Sequence, residues 1–273
     1  MRQPNRRQRA LLLLLLTLAV LLAVTMAGAL FTQRAMETDF SRMNRSPSLS
    51  FLFGTDWMGR DMLARTLAGL SLSIRIGVLT ALVSAVIALL CGVAAALSRR
   101  ADAVLSWCID LFLGIPHILL VMLISLAFGR GFLGVVAGVS LSHWPSLARV
   151  IRGEILSLRH APYLLAAEKL GVPRGQIVRR HLLPHLLPQF LTGLILQFPH
   201  AILHEASVTF LGFGLSSEQP AIGVILSESM QYLTTGRWWL ALFPGLALVG
   251  VVLLFAALGE QVRRVLDPSS VHQ

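Results

Sequence analysis

His200 and His204 stand four residues apart in HAILHEASVTFLGFG, the stretch from 200 to 214, with Glu205 directly after the second. Imidazoles at i and i+4 share one face of a helix. Such a pair offers nitrogen donors suited to Ni, Cu or Zn, or, if protonated, to the carboxylates of a chelated metal or a peptide. Gly193, Gln197, His200, His204 and Ser207 recur at spacings of four and three, so they form one narrow small or polar stripe. In an otherwise apolar helix such a stripe faces a bundle interior or a water-filled path rather than lipid. Pro199 removes one backbone hydrogen bond, frees the carbonyl of Ile195 and predicts a kink just before the histidines. A plainer reading stands beside this one: the two imidazoles hydrogen-bond to a neighbouring subunit, and Glu205, about 100° further round the helix, caps or pairs at that interface. His143, next to Trp144 and Pro145, reads equally as a packed histidine or a pathway group.

Hydrolytic chemistry fits these residues poorly. The zinc-protease pattern H-E-x-x-H needs a second histidine at 208, where the chain has Val208. An intramembrane serine protease needs a serine with a base beside it, and Ser216 has no histidine near it in sequence.

The elements that must position these groups are set by composition. Of 273 residues, 55% are hydrophobic and 13% charged, with a mean hydropathy of +0.74; a soluble domain carries about 25% charged residues. This is the profile of a polytopic, all-α membrane protein. The net charge of +10 comes from arginines placed between apolar runs, which suits topology and not nucleic-acid binding. Cys91 and Cys108 lie in apolar runs without framework spacing and read as buried thiols. The run from Ala10 to Phe31 exceeds the 7–15 residues of a signal-peptide core and is expected to be a retained first span.

Five further spans are expected near Leu72–Leu97, Ala103–Ala127, Phe132–Val150, Leu186–Thr209 and Trp238–Leu258, making six. Arg2, Arg6, Arg7 and Arg9, then Arg99 and Arg100, the cluster from Arg149 to Arg180, and Arg263 with Arg264 fall on one side, which the positive-inside rule makes cytoplasmic, with both termini inside. The chain divides into a tail and first span (1–31), an extracytoplasmic loop with GTDWMGRD (32–71), a five-helix core (72–268) and a short C-terminal tail (269–273). In that loop Asp56 and Asp61, with Gly54 and Gly59, read first as a hydrogen-bonded turn and second as a contact for an outside protein. Asp110 is expected to find a structural partner near the cytoplasmic end.

An elbow at about 153–180 is too long for a simple connection. A helix ending at Gly171, a residue free to take positive φ, with Pro173 just beyond, is expected there. Tyr163, Leu164, Ala166, Ala167 and Leu170 give it an apolar surface that a solvated loop does not need, which points to docking.

YLLAAEKLGVPRGQIVRRHLLP resembles the cytoplasmic signature of permease subunits of ABC importers: the triplet Leu165-Ala166-Ala167, the spaced Gly171 and the closing Leu183-Pro184, with leucine at 165 where the family has glutamate. FGTDWMGRDMLARTLAGLSLSIRIG at 53–77 is similar to the extracytoplasmic signature of the second permease of dipeptide, oligopeptide and nickel importers. Asp102, Asp110, Pro116, Trp144, Ala148-Arg149, FLGFG at 210–214 and LDP at 266–268 also stand where that subfamily has them. The paired histidines and SHW at 142–144 look most like the nickel importer's subunit, whereas Glu205 fits the peptide type.

The resemblance implies a type I importer permease fold in the inner membrane. Its expected partners are a second, non-identical permease, two ATPases below and a solute-binding protein outside. This chain would be a permease and not an enzyme, with no cofactor of its own and with ATP and Mg handled by the ATPases; a P-loop needs G-x-x-x-x-G-K-[ST], and the only lysine, Lys169, is followed by Leu170. Tyr163, Ala166, Ala167 and Gly171 are the expected coupling residues; Gln197, His200, His204 and Ser207 the expected pathway, with His200 and His204 as transient metal ligands. The expected cargo is nickel or a metal chelate, with dipeptide or oligopeptide as the alternative.

Overall fold

The computed structural model describes residues 6–158 and 161–266. Among these, the chain is helical almost throughout: α1 (Arg6–Met36), α2 (Met62–Leu97), α3 (Arg99–Gly114), α4 (His117–Ala127), α5 (Phe132–Leu158), α6 (Pro162–Lys169), α7 (Arg174–Ile177), α8 (Leu183–Phe210), α9 (Ile222–Leu233) and α10 (Trp239–Leu266). Arg2, Asp267-Pro268 and the tail at 269–273 lie outside the described residues.

α2 is the central element and packs against α1, α5, α8, α9 and α10. Its buried face is built from small residues, including Ala68, Ser73, Gly77, Ala81, Ala85 and Ala88. Between apolar helices in lipid there is little hydrophobic gain, so close backbone approach supplies the contact energy. At Gly77 a Cβ would come 2.4 Å from Cγ1 of Ile202 on α8. One apolar cluster joins α2, α5 and the start of α8 through Ala88, Trp144, Ile151, Ile155 and Leu186. A second joins α1, α2, α8, α9 and α10 through Leu21, Ile74, Ile202, Ile225 and Phe255.

Several expectations change. The third span is not one helix: α3 and α4 meet at a bend of 100°. Pro116 is the cause, because its ring bars αR conformation at Ile115, which sits at φ −88°, ψ 137°. α2 begins at Met62, ten residues ahead of the expected Leu72, because Asp61 accepts from the Leu63 and Ala64 amides and starts the helix there. α9 was not expected, since its Ser227, Glu228 and Ser229 break the apolar run. Among the described residues four helices are long and apolar enough to cross a membrane, or five with the bent pair counted as one. α5 matches them in length, but His143, Trp144, Pro145 and Arg149 dilute its apolar character, so composition alone does not carry the sixth span.

The GTDWMGRD loop is a folded turn tied to the bundle. Asp56 Oδ1 accepts from the Met58 and Arg60 amides at 2.9 Å each, and its Oδ2 takes Arg60 Nε and Arg65 Nη1 at 2.6 Å each. Glu228 of α9 closes the network at 3.2 Å from Arg60 and 3.0 Å from Arg65. Asp61 pairs with Arg34 of α1 at 3.0 Å. Nearby, the hydroxyl and amide of Ser41 hold the Asp39 carboxyl below its ordinary range.

Candidate functional site

α8 carries the polar stripe through the bundle in one continuous helix despite Pro188 and Pro199. Along it, Gln197 is buried with both amide atoms unpartnered, His200 is exposed, and His204 and Ser207 are half-buried. The Ser207 hydroxyl donates to the Leu203 carbonyl at 2.7 Å, which satisfies it within its own helix. Glu205 turns the other way. It is fully buried, accepts from the Thr209 hydroxyl at 3.1 Å and leaves its second oxygen unpartnered, so the expected interface role of Glu205 gives way to one inside this chain's own packing.

His204 meets two histidines from other helices. His117 is the first residue of α4, just past the bend, and His143 lies mid-way along α5. Ring centroids are 4.4 Å apart for His117–His204, 4.6 Å for His117–His143 and 5.0 Å for His143–His204, with the rings tilted or edge-on to one another. One donor nitrogen from each lies within 4.8 Å of the other two. Of the donor pair expected from sequence, His204 stands with His117 and His143 in this cluster, while His200 is exposed on the same helix and is not one of the three. Helix spacing put the first pair on one face, but only the fold could bring three helices together. The signal available for His117 was its place directly after Pro116, where a break aims the first residue of the new helix inward.

His143 is held in register by its own helix. Its Nδ1 contacts the Val139 carbonyl at 2.9 Å and the Ser142 hydroxyl at 3.2 Å. The nitrogen bonded to a carbonyl must carry the proton, which leaves Nε2 with the free lone pair. Nε2 of His117 is buried without a partner.

The FLGFG segment ends α8 and fixes it to its neighbours. The Phe213 carbonyl accepts from Ser125 of α4 at 3.0 Å, and the Gly214 carbonyl from the Gly131 amide at 3.0 Å. Ser216, on the loop that follows, lines a cleft of about 450 Å³ with Arg130, Ser217 and Glu228, whose carboxylate is engaged by Arg60 and Arg65 rather than placed to activate a serine.

The elbow folds as its punctuation predicts. α6 ends at Lys169, Gly171 takes φ +76°, and the Val172 amide donates back to the Ala167 carbonyl at 3.1 Å, a six-to-one closure. Leu164 is buried with Ile177, Val178 and Leu182 against α5 and α8, and Ala167 packs on the same cluster. Tyr163 at 47%, Leu165 at 44% and Leu170 at 83% exposure point outward, with Ala166 beside them. The outward apolar face thus contains Leu165 in place of Leu164. Two ion pairs brace α3 against α5 near this end: Arg149 with Asp110 at 2.6 Å, and Arg152 with both oxygens of Asp102. Asp110 has the structural partner expected of it.

Residues 84–271 match the family described as binding-protein-dependent transport system inner membrane component. A putative peptide transport system permease protein of Brucella suis biovar 1 is 35% identical over 98% of this chain and 90% of its own length. A dipeptide transport system permease protein of Bacillus subtilis is 29% identical over 97% of this chain and 83% of its own. In fold, the chain is similar to a chain of the MetNI methionine ABC transporter in an inward-facing conformation, with a TM-score of 0.61 and 19% identity over 76% of this chain and 98% of that one. With the broken third helix, the capped elbow and the multi-pass helical bundle, these place the chain in the binding-protein-dependent transport system inner membrane component family, as the permease subunit of an ABC importer.

Proposed function

We propose that this chain forms half of the translocation pathway of an ATP-driven importer for dipeptides or oligopeptides, paired with a second, non-identical permease. The observation that carries the division of labour is the elbow: a capped turn exposing Tyr163, Leu165, Ala166 and Leu170 on a base packed rigidly into α5 and α8. An exposed apolar face on so well anchored a turn suits a groove in another protein. In this reading the groove belongs to a cytoplasmic ATPase, both termini share its side, and nucleotide-driven closure moves the helices as rigid bodies. Magnesium and ATP are bound by the two ATPases. A solute-binding protein docks at the opposite end, beside the GTDWMGRD turn.

The similarity to peptide and dipeptide transport permeases supports peptide as the cargo. A second reading, nickel or a metal chelate, is favoured by one observation, the three facing imidazoles. Uptake of labelled dipeptide, set against labelled nickel alone and nickel with a histidine-like chelator, separates the two in cells holding this chain with its native partners. Dipeptide uptake that depends on ATP and disappears in Leu170→Asp supports the proposal. Retained uptake in Leu170→Asp removes the elbow from coupling, and nickel uptake without dipeptide uptake overturns the peptide cargo.

A further inference from the structure

We propose that His117, His143 and His204 form a binding site for a late first-row divalent metal ion, completed by a donor from the cargo. The inference rests on the importer reading above and deepens it: the peptide that passes would do so as its metal complex.

The donor set is specific. Three nitrogens and no carboxylate make up the cluster, a choice that suits Ni²⁺, Cu²⁺ or Zn²⁺ and disfavours Ca²⁺ and Mg²⁺, which take oxygen ligands. Donor atoms within 4.8 Å of one another are close enough to approach the roughly 3.3 Å that separates ligands around a tetrahedral ion with bonds of about 2.0–2.1 Å. The half-buried His117 and His204 have room for that adjustment, whereas His143 is held by its own helix. The carbonyl of Val139 does for His143 what an outer-shell acceptor does in metal sites, fixing the tautomer that leaves Nε2 as ligand. Three protein ligands with an open fourth position is also the arrangement that admits an exchanging ligand.

Charge explains why the cargo should complete it. Neutral imidazoles leave the full +2 of the ion inside an apolar bundle, which is expensive to desolvate. A peptide carboxylate or deprotonated amide brought with the metal lowers that charge, and the bare ion gains less.

The test uses the assembled transporter, purified through a tag free of histidine and stripped with chelator. Ni²⁺ binding is read by equilibrium dialysis and Co²⁺ binding by its visible absorption. One ion per copy of this chain is expected, at least tenfold weaker in His117→Gln and in His204→Gln, and unchanged in His185→Ala, an exposed position elsewhere on α8. His117 and His204 are only half-buried, and thermal unfolding of the metal-free variants at the wild-type midpoint certifies that they fold; the stabilisation by added Ni²⁺ should vanish in both. Ni²⁺ binding unaltered in His117→Gln, or lost on His200→Ala in its place, overturns the three-histidine site. A complex that imports dipeptide yet binds no Ni²⁺ defeats this site and leaves the peptide reading intact. One that binds Ni²⁺ through these residues and imports no dipeptide does the reverse.

Discussion

Nη1 of Arg65 lies 2.6 Å from Oδ2 of Asp56, with side-chain exposures of 2% and 4%, and so binds the second helix to the loop that precedes it. Arg60 shares that oxygen and Glu228 completes a network of two cations and two anions. Removing one charge leaves its partners buried and uncompensated, at about 3–5 kcal/mol. Asp56→Asn should therefore lower the unfolding midpoint of the purified complex sharply and reduce the amount of subunit in the membrane. An unchanged midpoint would show that water reaches the network.

Asp110→Ala gives the opposite expectation. Its pair with Arg149 is as short, at 2.6 Å, but the side chains are 71% and 56% exposed. Such pairs contribute about 0–1 kcal/mol. The variant should melt within a degree or two of wild type. A loss like that of Asp56→Asn would mean that the surface around Asp110 is covered in the assembled transporter.

What the sequence revealed followed the range of each interaction. Local devices were legible: Gly171 as a positive-φ cap and Asp56 in a turn each depend on neighbours a few residues away. Long apolar runs gave α1, α8 and α10 because length and hydropathy are additive along the chain. The break at Pro116 was hidden, since the apolar run continues across it and only the restriction on Ile115 betrays it. Leu164 and Leu165 could not be sorted into inward and outward positions until the tilt of α6 was known. His117 lay beyond reach, and His143 could be named without its neighbours, for the same reason at larger scale: three imidazoles from three helices meet through packing, which no single periodicity encodes.

The elbow yields a paired expectation. Leu170, the most exposed of its apolar residues, touches little of this chain, so Leu170→Asp should leave folding intact while abolishing co-purification of the ATPase. Gly171→Ala acts by strain instead: nothing lies within 4 Å of the added Cβ, but φ is +76°, at roughly 1–2 kcal/mol for an L residue. Partial loss of cargo-stimulated ATP hydrolysis, with the subunit still in the membrane, is the expected result. Equal and complete loss in both variants would argue that the turn, rather than the face, makes the contact.

Pro116→Ala probes how the histidines are brought together. It leaves all three imidazoles in place and removes only the ring that keeps Ile115 out of the helical region. With that restriction gone, α3 and α4 gain access to a straighter arrangement, which would carry His117 away from His143 and His204. Metal affinity should then fall, about tenfold for each 1.4 kcal/mol spent restoring the bend, with the Co²⁺ spectrum at saturation unchanged because the ligands are the same. If affinity holds, the bend is maintained by the packing of α4 on α5 and α8 alone, and Pro116 serves only to start the helix; if the spectrum changes, His117 is lost from the site and another donor has taken its place.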